Sequence, residues 1–312
     1  MSRFVKISCL GPQPFAIDPA VPLEEVVERM KRNSELELDR VLPEGPDLIV
    51  LPEACDRPYY EPVELRNAFY RVRGTRIREM LAEKARQHRC YITYSAHVEL
   101  PDGTWRNAVQ LLDRDGEICG AYYKNHLVPV EHTAGGLQYG DEVPIVETDF
   151  GRVAFAICFD LNFEELRAKI ARLKPDLIVF ASLYHGGLMQ AYWAYSCRAH
   201  FAGAVAGLPC TVLSPTGEIV ATSTNYYHFL TATVNLDCAI LHIDDNGRKF
   251  PAMKQRYGAK ISIQDPGLLG SVLLSSETDE FTVEQVIEEF QLVRLDDYFG
   301  GCLEHRQAHV IR

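Results

Sequence analysis

The chain has 312 residues, 47% of them hydrophobic, which is enough to bury one large core or two small ones. Asp and Glu number 43 against 32 Lys and Arg, a formal charge of −11, and this balance argues against a general nucleic-acid or anionic-membrane binder. No run approaches about 18 consecutive apolar residues, so no transmembrane helix is expected, and the nine cysteines are scattered without a C-x-x-C pair, which excludes the usual structural zinc spacings. The start, MSRFVKISCLG, lacks the pattern of a signal peptide, and reduced thiols in a cytoplasmic protein are expected.

In chain order, FVKISC (4–9) reads as a strand and 22–42 as a helix with Val26, Val27 and Met30 on one face. DLIVLPE (47–53) is a continuous apolar run ending in Pro, suited to a strand buried on both faces. A second amphipathic helix covers 75–88 and a strand 90–100. Two β-rich runs then flank Asp115-Gly116, a hairpin signal. Strand 152–158 runs into helix 162–173, and DLIVFAS (176–182) echoes DLIVLPE, a hint of internal two-fold architecture. Helix 188–200, a hairpin at SPTGE (214–218), strand 229–237 and helix 280–293 follow, with a weak pattern from about 244 to 281. The sum is an α/β domain, with one mixed sheet or two sheets covered by helices, over 1–250 and a C-terminal extension over 251–312.

Cys158 stands where the strand ends and the helix begins. A buried core accepts a thiol there without further reason, but amides at a helix N-terminus would also lower its pKa. Glu53 closes DLIVLPE, Lys124 ends the strand leaving the Asp115-Gly116 hairpin, and Glu131 lies in the loop beyond. Singly, each reads as easily as a strand-end or loop charge. Together they fall at strand ends that one sheet edge could gather. A carboxylate takes a thiol's proton and an ammonium meets a developing oxyanion, the set needed for acyl transfer from an amide. His126 and His132 could supply a base of their own, but with a glutamate available structural roles are expected for both.

LPE at 51–53, YYKNHL at 122–127 and ICFDLNFEEL at 157–166 resemble the three signatures of the nitrilase superfamily of carbon–nitrogen hydrolases, in the same order, with flanking likeness over roughly 4–245. The resemblance implies a four-layer α-β-β-α sandwich. It implies Glu53 as general base, Lys124 as electrostatic stabiliser, Cys158 as nucleophile and Glu131 as the residue orienting the lysine and the amide nitrogen. The backbone N–H of Phe159 would share the oxyanion with Lys124. No metal or organic cofactor is implied. Two departures stand out: Glu164-Glu165 follow Phe163 where the family usually has proline, and AHFAGAVAGLPC after Arg198 is shorter than its counterpart.

Cys158-Phe159-Asp160 is similar to the amidase branch, so a small amide is the expected substrate. An N-carbamoyl compound, a nitrile, acyl transfer to an amine, and a non-enzymatic binding role on the same fold are the alternatives. Tyr59, Tyr60, Tyr184, His185 and Trp193 are candidates for the pocket wall. The resemblance implies a homodimer or larger homo-oligomer. Apolar Ile261, Ile263, Leu268, Leu269, Val272, Leu273 and Leu274, without clear period, suggest that the extension contributes to the contact.

Overall fold

The structure, a computed structural model, describes residues 2–59 and 62–311. Val5–Val234 form one compact unit, and the residues before and after them in the chain form a second.

The larger unit runs β1 (Phe4–Leu10), α1 (Leu23–Leu38), β2 (Leu48–Val50), α2 (Val63–Arg73), α3 (Arg76–His88), β3 (Tyr91–Glu99), β4 (Trp105–Leu112) and β5 (Ile118–Tyr123). The short α4 (Pro129–Thr133) and β6 (Val146–Glu147) lead to β7 (Arg152–Ile157), α5 (Glu164–Leu173), β8 (Leu177–Ser182), α6 (Leu188–Cys197) and β9 (His200–Val205). The unit closes with β10 (Thr211–Leu213), β11 (Ile219–Thr222) and β12 (Phe229–Asn235).

Two six-stranded mixed sheets result, ordered β12-β1-β2-β3-β4-β5 and β11-β10-β9-β8-β7-β6. Every residue of β8 and β9 is buried, because both faces of the sheet are covered. Alternate positions go to opposite sides. Ile49, Ile92 and Tyr94 pack with Val26, Met30, Ile77 and Leu81 of α1 and α3, and Ile178, Phe180 and Phe201 pack with Leu166, Ile170 and Trp193 of α5 and α6. The other set, including Val50, Val109, Phe155 and Val179, is equally buried and lies where β2 nears β8 and β9 and β4 nears β7. Helices, sheet, sheet, helices: the four layers follow from a period of two with no polar side.

The echo of DLIV is structural. In both halves three parallel strands, β1-β2-β3 and β7-β8-β9, are followed by an antiparallel pair, β4-β5 and β10-β11. Asp47 and Asp176 open the second strand of each half with the same bonds. Each N–H donates to the first strand, at Lys6 and Arg152 (2.8 Å both), and each carboxylate accepts that residue's N–H in return, at 2.9 and 2.8 Å. Each carbonyl receives the third strand, from Tyr91 at 2.7 Å and His200 at 3.0 Å. The turns at DRDGE and SPTGE match as well: Asp113 Oδ1 and Ser214 Oγ each accept the N–H groups two and four residues on, and Gly116 and Gly217 take positive φ.

The second unit contains β13 (Cys238–His242), α7 (Ile243–Gly247), α8 (Phe250–Tyr257), β14 (Ile261–Gln264), β15 (Ser271–Ser276), α9 (Val283–Phe290) and α10 (Leu295–His309). Its antiparallel sheet is ordered β13-β15-β14. Ile261, Val272 and Leu274 lie in its own core with Leu241, Met253, Val286 and Ile287, and Leu273 is also buried. Residues 251–281, which show no clear period in the sequence, thus hold most of α8 and the strands β14 and β15. The segment hid its strands because β15 is buried at all six positions and shows no alternation. Of the residues that suggested an interface, only Leu268 and Leu269 are exposed.

These contacts make a boundary prediction. A chain stopped before Pro251 keeps β13 but loses β15, its partner, and should be aggregation-prone with a lowered Tm. A chain ending at Gly301 loses only exposed residues of α10 and should melt within about 2 °C of the full protein. Differential scanning calorimetry of the two truncations decides.

Candidate active site

Glu53 follows β2 directly. Leu51 N–H donates to Thr93 Oγ1 (2.8 Å), and Ala54 turns the chain with a φ of 51°, a conformation that strains any residue with a Cβ. The Glu53 carboxylate is thereby held in the interior, 5% exposed. Beyond it, Asp56 is fixed by Arg73 of α2 and by the Tyr94 hydroxyl, which anchors the loop to the helix and to β3. Lys124 continues β5, with its N–H on the Asn107 carbonyl at 2.9 Å, and its side chain is 1% exposed.

Lys124 Nζ meets Glu53 Oε1 at 3.0 Å and both oxygens of Glu131, at 3.1 and 2.9 Å. Asn107 Nδ2 bridges the same two carboxylates, to Glu53 Oε1 at 2.7 Å and Glu131 Oε1 at 3.0 Å. Glu131 is held in turn by the Val128 N–H at 2.7 Å. The second Glu53 oxygen accepts the N–H of Leu183, just beyond β8, at 3.2 Å, so the carboxylate ties one sheet to the other.

Cys158 follows β7, also with positive φ (49°). It opens a 3-10 turn, Cys158–Asn162, and α5 begins only at Glu164. The expected placement at the N-terminus of a regular helix is corrected. The turn is pinned by buried Asp160, whose carboxylate accepts Ile157 N–H (3.0 Å), the Tyr122 hydroxyl (2.7 Å) and His126 N–H (2.8 Å). Asp160 thus locks the thiol's turn to the segment bearing Lys124. The first N–H groups of such a turn, Phe159's among them, have no acceptor within it.

The charges are distributed unevenly. Burial pushes the Glu53 carboxyl up, but the Lys124 charge and hydrogen bonds from Asn107, Lys124 and the Cys158 thiol outweigh it and hold Glu53 below its ordinary value. Burial pulls Lys124 down, and the Glu53 and Glu131 carboxylates more than reverse this, so the ammonium persists. Burial and then the Glu53 charge push the Cys158 thiol up to about 12, against Lys124 and a hydrogen bond from Ser182. The resting site is a neutral thiol beside an ionised glutamate, the reverse of the activation expected from a helix terminus.

Of the remaining candidates, Tyr184 is exposed, with its hydroxyl on Asn162 Oδ1 (3.2 Å), and His185 Nδ1 accepts the Gly187 N–H (3.1 Å). Tyr59 is exposed; Tyr60 lies outside the described residues. Trp193 is corrected: it is fully buried in the core between α5, α6 and the sheet, where a helical position facing apolar strands puts it. His126 faces Asp160 and Glu165 and stacks on Phe163, and His132 Nδ1 lies 2.8 Å from the Leu137 carbonyl. Asn107 and Ser182 escaped the sequence reading, the first because an Asn inside an apolar strand carries no charge pattern, and Asp160 was read only as part of the Cys158-Phe159-Asp160 motif. Ser182 had a signal, since it ends DLIVFAS where Glu53 ends DLIVLPE. Among the described residues no group of His, Cys, Asp and Glu is arranged for a metal ion, and no helix is long and apolar enough to cross a membrane.

Two outcomes follow. Asp160→Ala strands two buried donors and one half-buried donor and should cost about 3 kcal/mol or more in urea unfolding. Alkylation of Cys158 by iodoacetamide, followed by mass spectrometry, should accelerate about tenfold per pH unit from pH 7 to 9, as expected when thiol predominates. A plateau below pH 8 would place a thiolate in the resting site.

Among proteins of known sequence, "Hydrolase C26A3.11" of Schizosaccharomyces pombe is 23% identical over 70% of this chain and 77% of its own length. "Omega-amidase NIT2-B" of Xenopus laevis is 22% identical over 71% and 87%. Among solved structures, the NitFhit protein of C. elegans superposes with a TM-score of 0.65 at 19% identity, covering 82% of this chain and 65% of that longer one. A variant of the amidase from Nesterenkonia AN1 gives 0.59 at 20%, covering 75% and 91%; both carry the same fold. The carbon–nitrogen hydrolase family profile matches residues 7–240. With three quarters of its length inside that match, this chain belongs to the carbon–nitrogen hydrolases of the nitrilase superfamily.

Proposed function

We propose that this carbon–nitrogen hydrolase cleaves a small linear amide through a thioester on Cys158. The observation that carries the reading is the buried Lys124 Nζ held between the Glu53 and Glu131 carboxylates, at 3.0 and 2.9 Å, with Glu53 next to the Cys158 thiol. Glu53 takes the thiol proton as sulfur attacks the carbonyl carbon. The negative charge that forms on oxygen is met by Lys124 and by the N–H of Phe159. As the C–N bond breaks, Glu53 passes its proton to the leaving nitrogen, and ammonia or an amine departs. A water then gives a proton to Glu53 and attacks the thioester, releasing the acid and restoring the thiol. Glu131 keeps Lys124 in place and, in this reading, accepts from the amide nitrogen.

The sequence Cys158-Phe159-Asp160 supports an amide over a nitrile, as does the naming of several relatives as amidases. A complete base, cation and nucleophile, with strained backbone at Ala54 and Cys158, supports catalysis over simple binding.

Cys158→Ala should abolish turnover of small primary amides and leave the circular dichroism spectrum unchanged. Glu53→Gln and Lys124→Ala should each lower kcat by about 10²–10³ or more, with smaller changes in KM. Rapid-quench mass spectrometry provides the decisive measurement: wild-type rates of Cys158 acylation in Lys124→Ala would remove the lysine from the chemistry.

A further inference from the structure

Four polar atoms close a ring around the buried charges. Glu53 Oε1, Lys124 Nζ, Glu131 Oε1 and Asn107 Nδ2 follow one another, with edges of 3.0, 3.1, 3.0 and 2.7 Å. Donors and acceptors alternate, so each Oε1 receives one N–H from the lysine and one from the amide. The oxygens outside the ring are engaged too. Glu53 Oε2 accepts the Leu183 N–H at 3.2 Å, and Glu131 Oε2 accepts the Val128 N–H at 2.7 Å. Asn107 is buried on β4, and its own Oδ1 has no hydrogen-bond partner among the described residues. Turning the amide over would set that oxygen against two carboxylates, so its orientation is fixed. A buried acceptor left unmatched calls for a reason. The ring supplies one: both hydrogens of a single amide are committed to two carboxylates.

Two carboxylates and one ammonium leave an excess negative charge in the interior, and carboxylates so placed tend to share a proton. The other groups facing Glu53 do not cancel that excess. Cys158 is a thiol pushed up to about 12 by burial and by Glu53 itself, with the Ser182 hydroxyl beside it. His97, across from Asn107 on β3, is held well below the usual imidazole value by burial and by the Arg57, Arg73, Lys124 and Arg66 charges. On the loop beyond Glu53, burial pushes the Cys55 thiol up, and among the described residues Arg57 forms no ion pair with either carboxylate. An aspartate in place of Asn107 would have no proton to give, a serine one, and a lysine would bring a second charge to compete with Lys124. Asparagine offers two hydrogens from one uncharged nitrogen. We propose that Asn107 is a positioning residue that holds Glu53 and Glu131 ionised together and leaves Glu53 Oε2 to receive the Cys158 proton. Burial raises Glu53, and the Lys124 charge and then the Asn107 hydrogen bond bring it down. Without Asn107, Glu53 binds a proton at higher pH, so the base is lost as pH falls and regained as pH rises. The proton transfer served rests on the amide-hydrolase reading above, whereas the ionisation belongs to the free protein.

The test uses the full-length protein, labelled with carbon-13 at the glutamate carboxyls, and two variants of nearly unchanged shape, Asn107→Leu and Asn107→Asp. An NMR titration, with the Glu53 signal assigned through Glu53→Gln, reads the ionisation without any turnover. In Asn107→Leu the Glu53 midpoint should rise by about one pH unit or more, a tenfold change in its proton affinity. Asn107→Asp, which adds a third carboxylate, should raise it further. With butanamide as the probe, the acid limb of kcat/KM should move by the same amount, and kcat above the new midpoint should return to within about threefold of wild type. A residue that merely held the fold would lower activity at every pH and leave the limb where it was. Should Asn107→Leu fail to fold, the aspartate variant carries the comparison. An unmoved Glu53 midpoint in a folded variant would overturn the role given to Asn107, even with butanamide turned over. A raised midpoint without turnover of butanamide or acylation of Cys158 would support that role and count against the amide reading instead.

Discussion

A lysine ammonium clamped between two carboxylates in the interior is the constraint on which the site depends. Burying charge is expensive, and such a group persists only where geometry and further hydrogen bonds repay the desolvation. Here Lys124 reaches Glu53 and Glu131, and Asn107 donates to the same pair. Four residues from β2, β4, β5 and α4 are thereby fixed against each other. On the proposed mechanism the same cluster prepares Glu53 as the base, because its charge is stabilised before any substrate arrives. That same charge raises the Cys158 thiol, so in the proposed mechanism thiol and carboxylate are activated together at the moment of attack.

The internal two-fold arrangement explains how Glu53 and Cys158 meet. Glu53 and Ser182 end the second strands of the two halves, and the sheets pack so that Cys158 shares hydrogen bonds with both. One half contributes a carboxylate at this position and the other a neutral hydroxyl. A second carboxylate there would have raised the thiol further and competed for Lys124. Asp160 supplies the other link, binding the thiol's turn to Tyr122 and His126. Two non-glycine residues with positive φ, Ala54 and Cys158, mark where the backbone is bent to aim side chains at a common point.

Much of the larger unit was legible in the sequence for a simple reason. Helices at 23–38 and 76–88 show their apolar face at a period near 3.6, and strands such as Leu177–Ser182 are short apolar runs bounded by polar residues. Lys124 and Glu53 could be named from strand-end position and charge. Trp193 was misplaced because an aromatic residue reads alike whether it faces core or cavity.

Local sequence, then, determined the alternation of elements, the duplicated DLIV strands, and the identity of the groups able to do chemistry, since each depends on residues near one another in the chain. Only the tertiary structure decided which charges are paired and which are not. Lys124 is matched by Glu53, 71 residues away, and Asp56 by Arg73, 17 residues away. Charge, burial and pKa are properties of neighbours in space, and the sheets that bring those neighbours together are assembled from strands distant in sequence.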